Sequence, residues 1–489
     1  MAEASTPVVH TGLRRNALGV PGIVFLVLAA VAPLTGAIVV TSLAIALGNG
    51  GGMAASYAIV AVVLLLFAVG YAQMSRKLVN AGGFYAFVVR GLGPTGGLVA
   101  GFIATMGYNF FVAGAIGTSG FFFQIVLADL IGLNVHWYVW GLLSIAAAFF
   151  FARRGIDFSA KLLGIALVLE ILILLIFDIA VLFRTGYAIE AFSMEAITTG
   201  SIGVGLLLAA TGFLGFEATA LFGEEARNPL KTIPRATYLA IAAIGLIHAV
   251  TTWAVVSALG VAQAQDTALE HLAGGDLLMA LSQEYLGGFM TTVMLVLLLV
   301  SLFAALLAFH NAATRYLFAL GRARVLPATL GSTLENGVPQ NAALANAIFA
   351  AVVAGLFALS GLDPITSLVP TMIGFGTLCI LVLQLLAAFS IVAHFRKARD
   401  PRWMSTFVAP GLGLLGLVWI VGMAIANFPI LAGSDAAIVG MLPLLLVVAL
   451  IGGVGYAYYL RRRRPEVYAG LTTDLEKVEP AAEEGVPTP

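Results

Sequence analysis

A glutamate stands inside an apolar segment, directly after two glycines that lie three residues apart. The stretch is Gly212-Phe213-Leu214-Gly215-Phe216-Glu217, and the residues around it are typical of a membrane-spanning helix. A carboxylate near the centre of a bilayer costs about 2.5–3.5 kcal/mol on insertion scales, so it needs a partner, a proton or an aqueous cavity. An interrupted helix beside a carboxylate is how many secondary transporters build a binding site in the middle of the membrane.

A second interruption occurs in the first apolar segment. The stretch Ala32-Pro33-Leu34-Thr35-Gly36-Ala37 contains a proline, which removes a backbone donor, and a glycine that weakens the helix again. Carbonyls freed there need a side chain, water or a ligand. Taken singly, each break could be a kink or a close-packing face, because Gly and Pro are common in membrane helices. Taken together, the two breaks favour one shared binding site.

Composition indicates a membrane protein. Hydrophobic residues make up 61% of the 489 residues and charged residues 10%, against about 25% charged residues in soluble domains. The single cysteine, Cys379, excludes an intramolecular disulfide and a multi-cysteine metal site. The sequence holds no His-Glu-x-x-His pair, phosphate-binding Gly-Lys-Ser/Thr loop or Cys/His cluster. We therefore expect neither an enzyme nor a metal, a cofactor or a nucleic-acid partner.

Twelve apolar stretches approach or exceed the ~20 residues that a membrane helix needs. They are Leu18–Gly48, Met53–Met74, Thr95–Leu127, Trp137–Phe151, Ser159–Phe183, Thr199–Phe222, Thr237–Leu259, Leu286–Ala312, Ala342–Leu359, Ile365–Ala393, Phe407–Ile430 and Ala436–Leu460. The sequence thus predicts an all-α membrane protein with twelve transmembrane helices. Residues 1–16 are expected to form a polar cytoplasmic tail and residues 17–464 the twelve-helix domain. Residues 465–489, rich in Glu, Pro and Ala, are expected to form a disordered cytoplasmic tail.

The distribution of Lys and Arg predicts the orientation in the membrane. With the N-terminus inside, all of the 24 basic residues except Arg184 fall on the inner side. We therefore predict a multi-pass protein of the cell membrane with both termini in the cytoplasm. The cluster Arg461–Arg464 is expected to anchor the last helix beside membrane lipid.

The two breaks lie in the first and sixth predicted spans, and this offset predicts an inverted repeat of five plus five helices with two further helices at the end. Three motifs resemble those of the amino acid–polyamine–organocation superfamily of permeases, and they occur in that family's order. They are Gly223-Glu224-Glu225-Ala226-Arg227-Asn228-Pro229 after the sixth span, Ala81-Gly82-Gly83-Phe84-Tyr85 after the second, and Asn311-Ala312-Ala313-Thr314-Arg315-Tyr316 at the end of the eighth. The resemblance implies a LeuT-type fold with helices 1 and 6 discontinuous, and transport by alternating access.

The breaks and the resemblance together assign roles to single residues. Substrate is expected at both breaks and at two polar residues of the third span: Ala32, Thr35, Gly36, Ala37, Gly212, Phe213, Gly215, Phe216, Tyr108 and Asn109. Coupling to a proton or a sodium ion is assigned to Glu170, Glu217 and Ser301. An inner gate of ion pairs is assigned to Arg90, Glu224, Glu225, Arg315 and Arg322.

Each assignment has a plainer structural alternative. The phenylalanines could be ordinary helix packing, and the two glutamates could be neutral residues that hydrogen-bond to freed backbone. Ser301 could bond to its own helix, and the gate charges could be a solvated face of little energetic value. His248, His310 and Asn311 are interpreted as packing residues.

The combined prediction is a secondary permease for an amino acid or a related small amine. Half-helix N-termini favour anions and freed carbonyls favour cations, so a zwitterion suits the two breaks. A proton, a sodium ion and exchange all remain open as the means of coupling. Two other classes also remain open: a carrier of a non-zwitterion, such as a polyamine or a monocarboxylate, and a receptor-like protein that binds without transporting.

Overall fold

The computed structural model describes residues 18–78, 83–154, 160–222, 226–334, 337–431 and 440–476. Within these ranges the chain is helical without strands, as predicted. The α-helices are α1 Val20–Val31, α2 Pro33–Thr35, α3 Ser42–Leu47, α4 Met53–Ser75, α5 Gly83–Ile131, α6 Trp137–Arg154, α7 Ala160–Thr185, α8 Met194–Thr198, α9 Ile202–Thr211, α10 Pro229–Leu259, α11 Ala264–Glu270, α12 Leu277–Tyr285, α13 Gly288–Arg322, α14 Gln340–Leu359, α15 Val369–Lys397, α16 Ala409–Ala426, α17 Phe428–Leu431, α18 Leu444–Arg463 and α19 Pro465–Glu476.

Shorter helical turns connect several of these helices. The π-helical turns are Gly36–Thr41, Pro364–Leu368 and Met404–Val408. The 3₁₀ turns are Gly50–Gly52, Ile189–Phe192, Phe216–Phe222 and Ala328–Gly331.

Eleven helical segments in the described parts of the chain are long and apolar enough to cross a membrane. The fourth predicted span, α6, is apolar but shorter. Apolar side chains also cover outward faces, as Leu172, Leu175 and Ile179 do on α7. Such faces would be unfavourable in water but are matched by lipid tails. The structure therefore has the helices and the surface of a multi-pass membrane protein.

Two groups of helices hold the core. Helix α5 packs along α15, α13, α6 and α14, while α10 packs along α4, α7 and α1. Gly93, with φ of 75°, bends α5 just before Pro94. The bend separates a short first part, which contains Tyr85, from the long helix that contains Tyr108. It lies next to Thr95, where the third span is predicted to begin.

The C-terminal segment differs from the prediction of disorder after Arg464. Helix α19 follows α18, and Leu471 is buried in an apolar cluster with Leu98 and Leu320. The hydroxyl groups of Tyr468 and Thr95 form a hydrogen bond of 2.8 Å. Composition alone missed this helix because only a few of its side chains carry the packing. The predicted tail residues 1–16 and residues 477–489 lie outside the described parts of the chain.

Candidate functional site

The first break is at Ala32, between α1 and α2. Its φ of 52° and ψ of 72° lie in the left-handed region, which is strained for a residue with a Cβ. Pro33 follows as the first residue of α2, a position that suits its fixed φ and missing N–H. The turn Gly36–Thr41 then loosens the helix further. Proline therefore begins a half-helix here instead of merely kinking a continuous one.

The second break follows α9. Gly212 to Gly215 form turns, and Gly215 has φ of 116°, which only glycine adopts readily. A Cβ placed on Gly215 would lie 3.3 Å from Cγ2 of Val31. The two breaks are therefore in contact, as a shared site requires.

Glu217 fixes the second break in place. Its Oε2 accepts a hydrogen bond from the Gly215 N–H at 2.9 Å, and its Oε1 accepts one from the Tyr108 hydroxyl. The Tyr71 hydroxyl donates to the main-chain oxygen of Glu217 at 3.0 Å. The interrupted backbone is thus tied to α5 and α4, and both oxygens of a buried carboxylate have partners.

Glu170 is tied to the first break. Its Oε2 accepts a hydrogen bond from the Ser301 hydroxyl at 2.8 Å and from the Leu34 N–H at 3.3 Å. The Thr35 hydroxyl donates to Ser301 Oγ at 2.9 Å. Ser301 therefore bonds across helices, and the chain of contacts joins α7, α13 and the start of α2. Three predicted residues from distant parts of the sequence meet here.

A cavity of about 40 Å³ lies between the two breaks, and we name it the break cavity. Thr35, Gly36, Thr211 and Gly212 contribute the breaks to its wall. The remaining wall is mainly apolar: Val31, Val39, Val40, Phe111, Ala115, Leu214, Leu302, Ala305, Phe309 and Ile373, with Thr118 and Ser119 from α5. The Ser119 hydroxyl is buried without a hydrogen-bond partner among the described residues. The wall of the cavity thus combines polar groups with aliphatic side chains.

A larger cavity, of about 130 Å³, lies nearer the C-terminal end of α13, and we name it the inner cavity. Its wall includes Glu217, Tyr108, Tyr316 and Arg315. The other lining residues are Ala30, Gly83, Tyr85, Gly101, Gly215, Ala218, Ala308, Phe309, Ala312, Ala319 and Leu320. In the predicted topology this end of α13 is the cytoplasmic end.

Several predicted substrate residues line neither cavity. Ala32 and Ala37 are buried in the first helix beside the cavity. Phe213 packs against Gly245 of α10, and the Phe216 ring lies among Phe67, Tyr71 and Phe84. The two phenylalanines thus occupy packing positions here.

Asn109 also lies away from both cavities, in a polar network between helices. Its side-chain amide donates to the Thr105 carbonyl at 2.6 Å, and its Oδ1 accepts from Asn346 Nδ2 at 2.8 Å. Asn346 Oδ1 is in turn 2.6 Å from Nδ1 of His310. This network joins α5, α14 and α13.

The predicted inner gate is described only in part. Arg315 lines the inner cavity, Arg322 lies over the Phe318 ring at 5.5 Å, and Arg90 is exposed on the first part of α5. Glu224 and Glu225 lie outside the described residues. The gate therefore stays a prediction.

His248 of α10, which the sequence indicates as a helix-packing or near-interface group, lies at the breaks. A Cβ on Gly36 would lie 2.3 Å from His248 Nε2, and one on Gly212 would lie 3.3 Å from Cδ2. Nδ1 donates to the Ile244 carbonyl at 3.0 Å, and Nε2 has no partner among the described residues. The imidazole occupies space that the two glycines leave open. No sequence signal could show this, because it depends on the alignment of three separate helices.

The chain is similar to one protein family and to several bacterial transporters over most of its length. The model of the amino acid permease family matches residues 23–469. The branched-chain amino acid permease BcaP of Bacillus subtilis (strain 168) is 25% identical over 463 residues, which cover 87% of this chain and 90% of that protein. BcaP of Lactococcus lactis subsp. cremoris is 27% identical over 399 residues, or 76% and 82% of the two chains. An uncharacterized transporter of Mycobacterium bovis is 27% identical over 398 residues, or 80% and 82%.

Proposed function

Because the chain belongs to the amino acid permease family, we propose that it carries amino acids with branched aliphatic side chains across the cell membrane by alternating access. The family match and the permease relatives support a transmembrane amino acid transporter. The branched-chain substrate comes from the names of two relatives and from the residues that line the break cavity.

The break cavity is the observation that carries the substrate proposal. It meets the two interrupted helices, whose ends suit a carboxylate and an ammonium group. Val39, Val40, Leu302 and Ile373 add aliphatic side chains to its wall. Burial of each further methylene of a substrate against such side chains is worth about 0.8 kcal/mol. A zwitterion with a branched aliphatic side chain matches both parts of this lining.

The arrangement in the membrane follows from the same proposal. We assign α6 as the fourth of twelve spans, and the helices around Ala32 and Gly215 as the corresponding discontinuous members of a five-plus-five inverted repeat. The contact between the two breaks supports this assignment. Both termini are then cytoplasmic.

Coupling is assigned to Glu170, with a proton as the coupling ion. When Glu170 is ionised, it accepts hydrogen bonds from the Ser301 hydroxyl and from the Leu34 N–H of α2. Protonation would weaken these bonds and so alter the first break. A sodium ion or exchange of one substrate for another would instead leave Glu170 ionised throughout.

Uptake of radiolabelled L-isoleucine into proteoliposomes tests the proposed function. We expect uptake that unlabelled leucine and valine inhibit and that polyamines and monocarboxylates do not. Uptake of a labelled polyamine or monocarboxylate without uptake of isoleucine would show that the carrier takes a non-zwitterion. Thermal stabilisation by isoleucine, which reports binding, without any uptake would favour a receptor-like protein.

A further inference from the structure

The break cavity and the inner cavity are neighbours that share part of their walls. Phe309 of α13 lines both cavities. In the first break, Ala30 lines the inner cavity and Val31 the break cavity. In the second, Gly215 lines the inner cavity and Leu214 the break cavity. Consecutive residues of both interrupted helices therefore face different cavities.

Helix α13 orders the two cavities along its length. Its residues Leu302 and Ala305 line the break cavity, and Ala312 and Leu320 line the inner cavity. Between them, the Phe309 ring stacks on Phe111 with 4.0 Å between ring centroids. The Phe309 ring therefore lies at the boundary between the part of α13 that lines the break cavity and the part that lines the inner cavity.

The inner cavity has charged and aromatic groups that suit a zwitterion. The Glu217 carboxylate lies on its wall with Tyr108 and Tyr316, whose rings stack at 5.3 Å. Carboxylates and aromatic faces both attract an ammonium group. Arg315 is on the same wall, and a guanidinium group binds carboxylates. The other lining residues are mostly Ala, Gly and Leu, which leaves an apolar surface for a side chain.

The volume of the inner cavity supports an organic occupant. At about 130 Å³ it is roughly three times the break cavity. It is also far larger than the ~10–15 Å³ that one water molecule needs.

We propose that the inner cavity is a second binding position for the transported amino acid. This follows from the wall that the two cavities share, from their order along α13 and from the chemistry of the residues that line the inner cavity. The ammonium group lies towards Glu217 and the carboxylate towards Arg315, and Phe309 separates the molecule from the break cavity. This inference rests on the proposed function, because it assigns a second position to the same substrate. It gives Glu217 and Tyr108 a substrate contact in addition to the hydrogen bond between them and the one that Glu217 accepts from Gly215.

Helix α13 supplies a matched pair of variants for the test. Ala312 lines only the inner cavity and Ala305 lines only the break cavity. Ala312→Met should therefore fill the inner cavity, and Ala305→Met should fill the break cavity. The measurement is equilibrium binding of radiolabelled L-isoleucine to the purified full-length chain. We expect two molecules bound per wild-type chain and one per variant chain, with different affinities in the two variants.

The possible results separate this inference from the proposed function. Saturation of the wild-type chain at one molecule would overturn the second position and leave the permease proposal standing. Two molecules on the Ala312→Met chain would overturn it as well. Absence of any isoleucine binding would instead contradict the proposed function. Ala319→Met, which also fills the inner cavity, replaces Ala312→Met if size-exclusion chromatography shows that the latter is misfolded.

Discussion

At the scale of single residues, each broken helix has its own buried carboxylate. Glu217 accepts a hydrogen bond from Gly215 in the second break, and Glu170 accepts one from Leu34 after the first. Each carboxylate thus accepts from one backbone N–H and one hydroxyl group, Tyr108 for Glu217 and Ser301 for Glu170. Ser301 also accepts a hydrogen bond from the Thr35 hydroxyl, and we propose coupling at Glu170 because of this further link to the first break.

The contact between Glu217 and Gly215 predicts the effect of removing the carboxylate. Glu217→Ala should destabilise the protein by about 1–3 kcal/mol, because the Gly215 N–H and the Tyr108 hydroxyl both lose a buried acceptor. The rate of isoleucine uptake should fall together with the stability. The measurement is thermal unfolding together with uptake into proteoliposomes. Tyr108→Phe removes one of the two bonds and should have a smaller effect. Wild-type stability in Glu217→Ala would show that the break does not depend on this residue.

The hydrogen bonds of Glu170 predict a change in pH dependence. Glu170→Gln keeps the shape of the side chain but cannot exchange a proton, so uptake should no longer respond to an imposed pH gradient. Asp178, also buried on α7 and bonded to the Thr251 hydroxyl at 2.9 Å, provides the matched control. Asp178→Asn should keep the response. A normal response in Glu170→Gln would remove Glu170 from the coupling mechanism.

At the scale of elements, backbone chemistry explains which features could be predicted. Pro33 and the closely spaced Gly212 and Gly215 indicate helix interruption locally, and the structure has both breaks at these positions. The directions of Phe213 and Phe216 could not be predicted, because the helical period is lost once the backbone unwinds. The same is true of α19, whose few apolar side chains become a packing face only against α5 and α13.

The place of His248 between α2 and α9 predicts the result of a double substitution. Gly36→Ala should reduce uptake strongly, because the new Cβ would lie 2.3 Å from His248 Nε2. His248→Ala removes that obstacle, and the pair Gly36→Ala with His248→Ala should recover part of the uptake and thermal stability. Contacting residues couple in this way by about 0.5–3 kcal/mol. If the losses of uptake and stability from the two single substitutions simply add in the double variant, the imidazole does not set the distance between the two breaks.

At the scale of the whole molecule, the C-terminal helix connects to the inner cavity. Leu320 lines that cavity and also belongs to the apolar cluster that contains Leu471 of α19. Helix α19 therefore packs against the same parts of α5 and α13 that line the inner cavity. Loss of this packing should loosen the inner end of the protein before it affects the breaks.

Leu471→Ala tests this packing. Leu471 is only 2% exposed, and large-to-small substitutions of buried leucine cost about 2–5 kcal/mol. The free energy of unfolding should fall by an amount at the lower end of that range, since α19 packs on one face only. Isoleucine binding in the break cavity should persist, because none of the residues of this cluster lines that cavity. Glu466→Ala, an exposed position on the same helix, should change stability by less than about 0.5 kcal/mol. Equal stability of the Leu471→Ala and Glu466→Ala variants would show that the packing of α19 does not stabilise the protein.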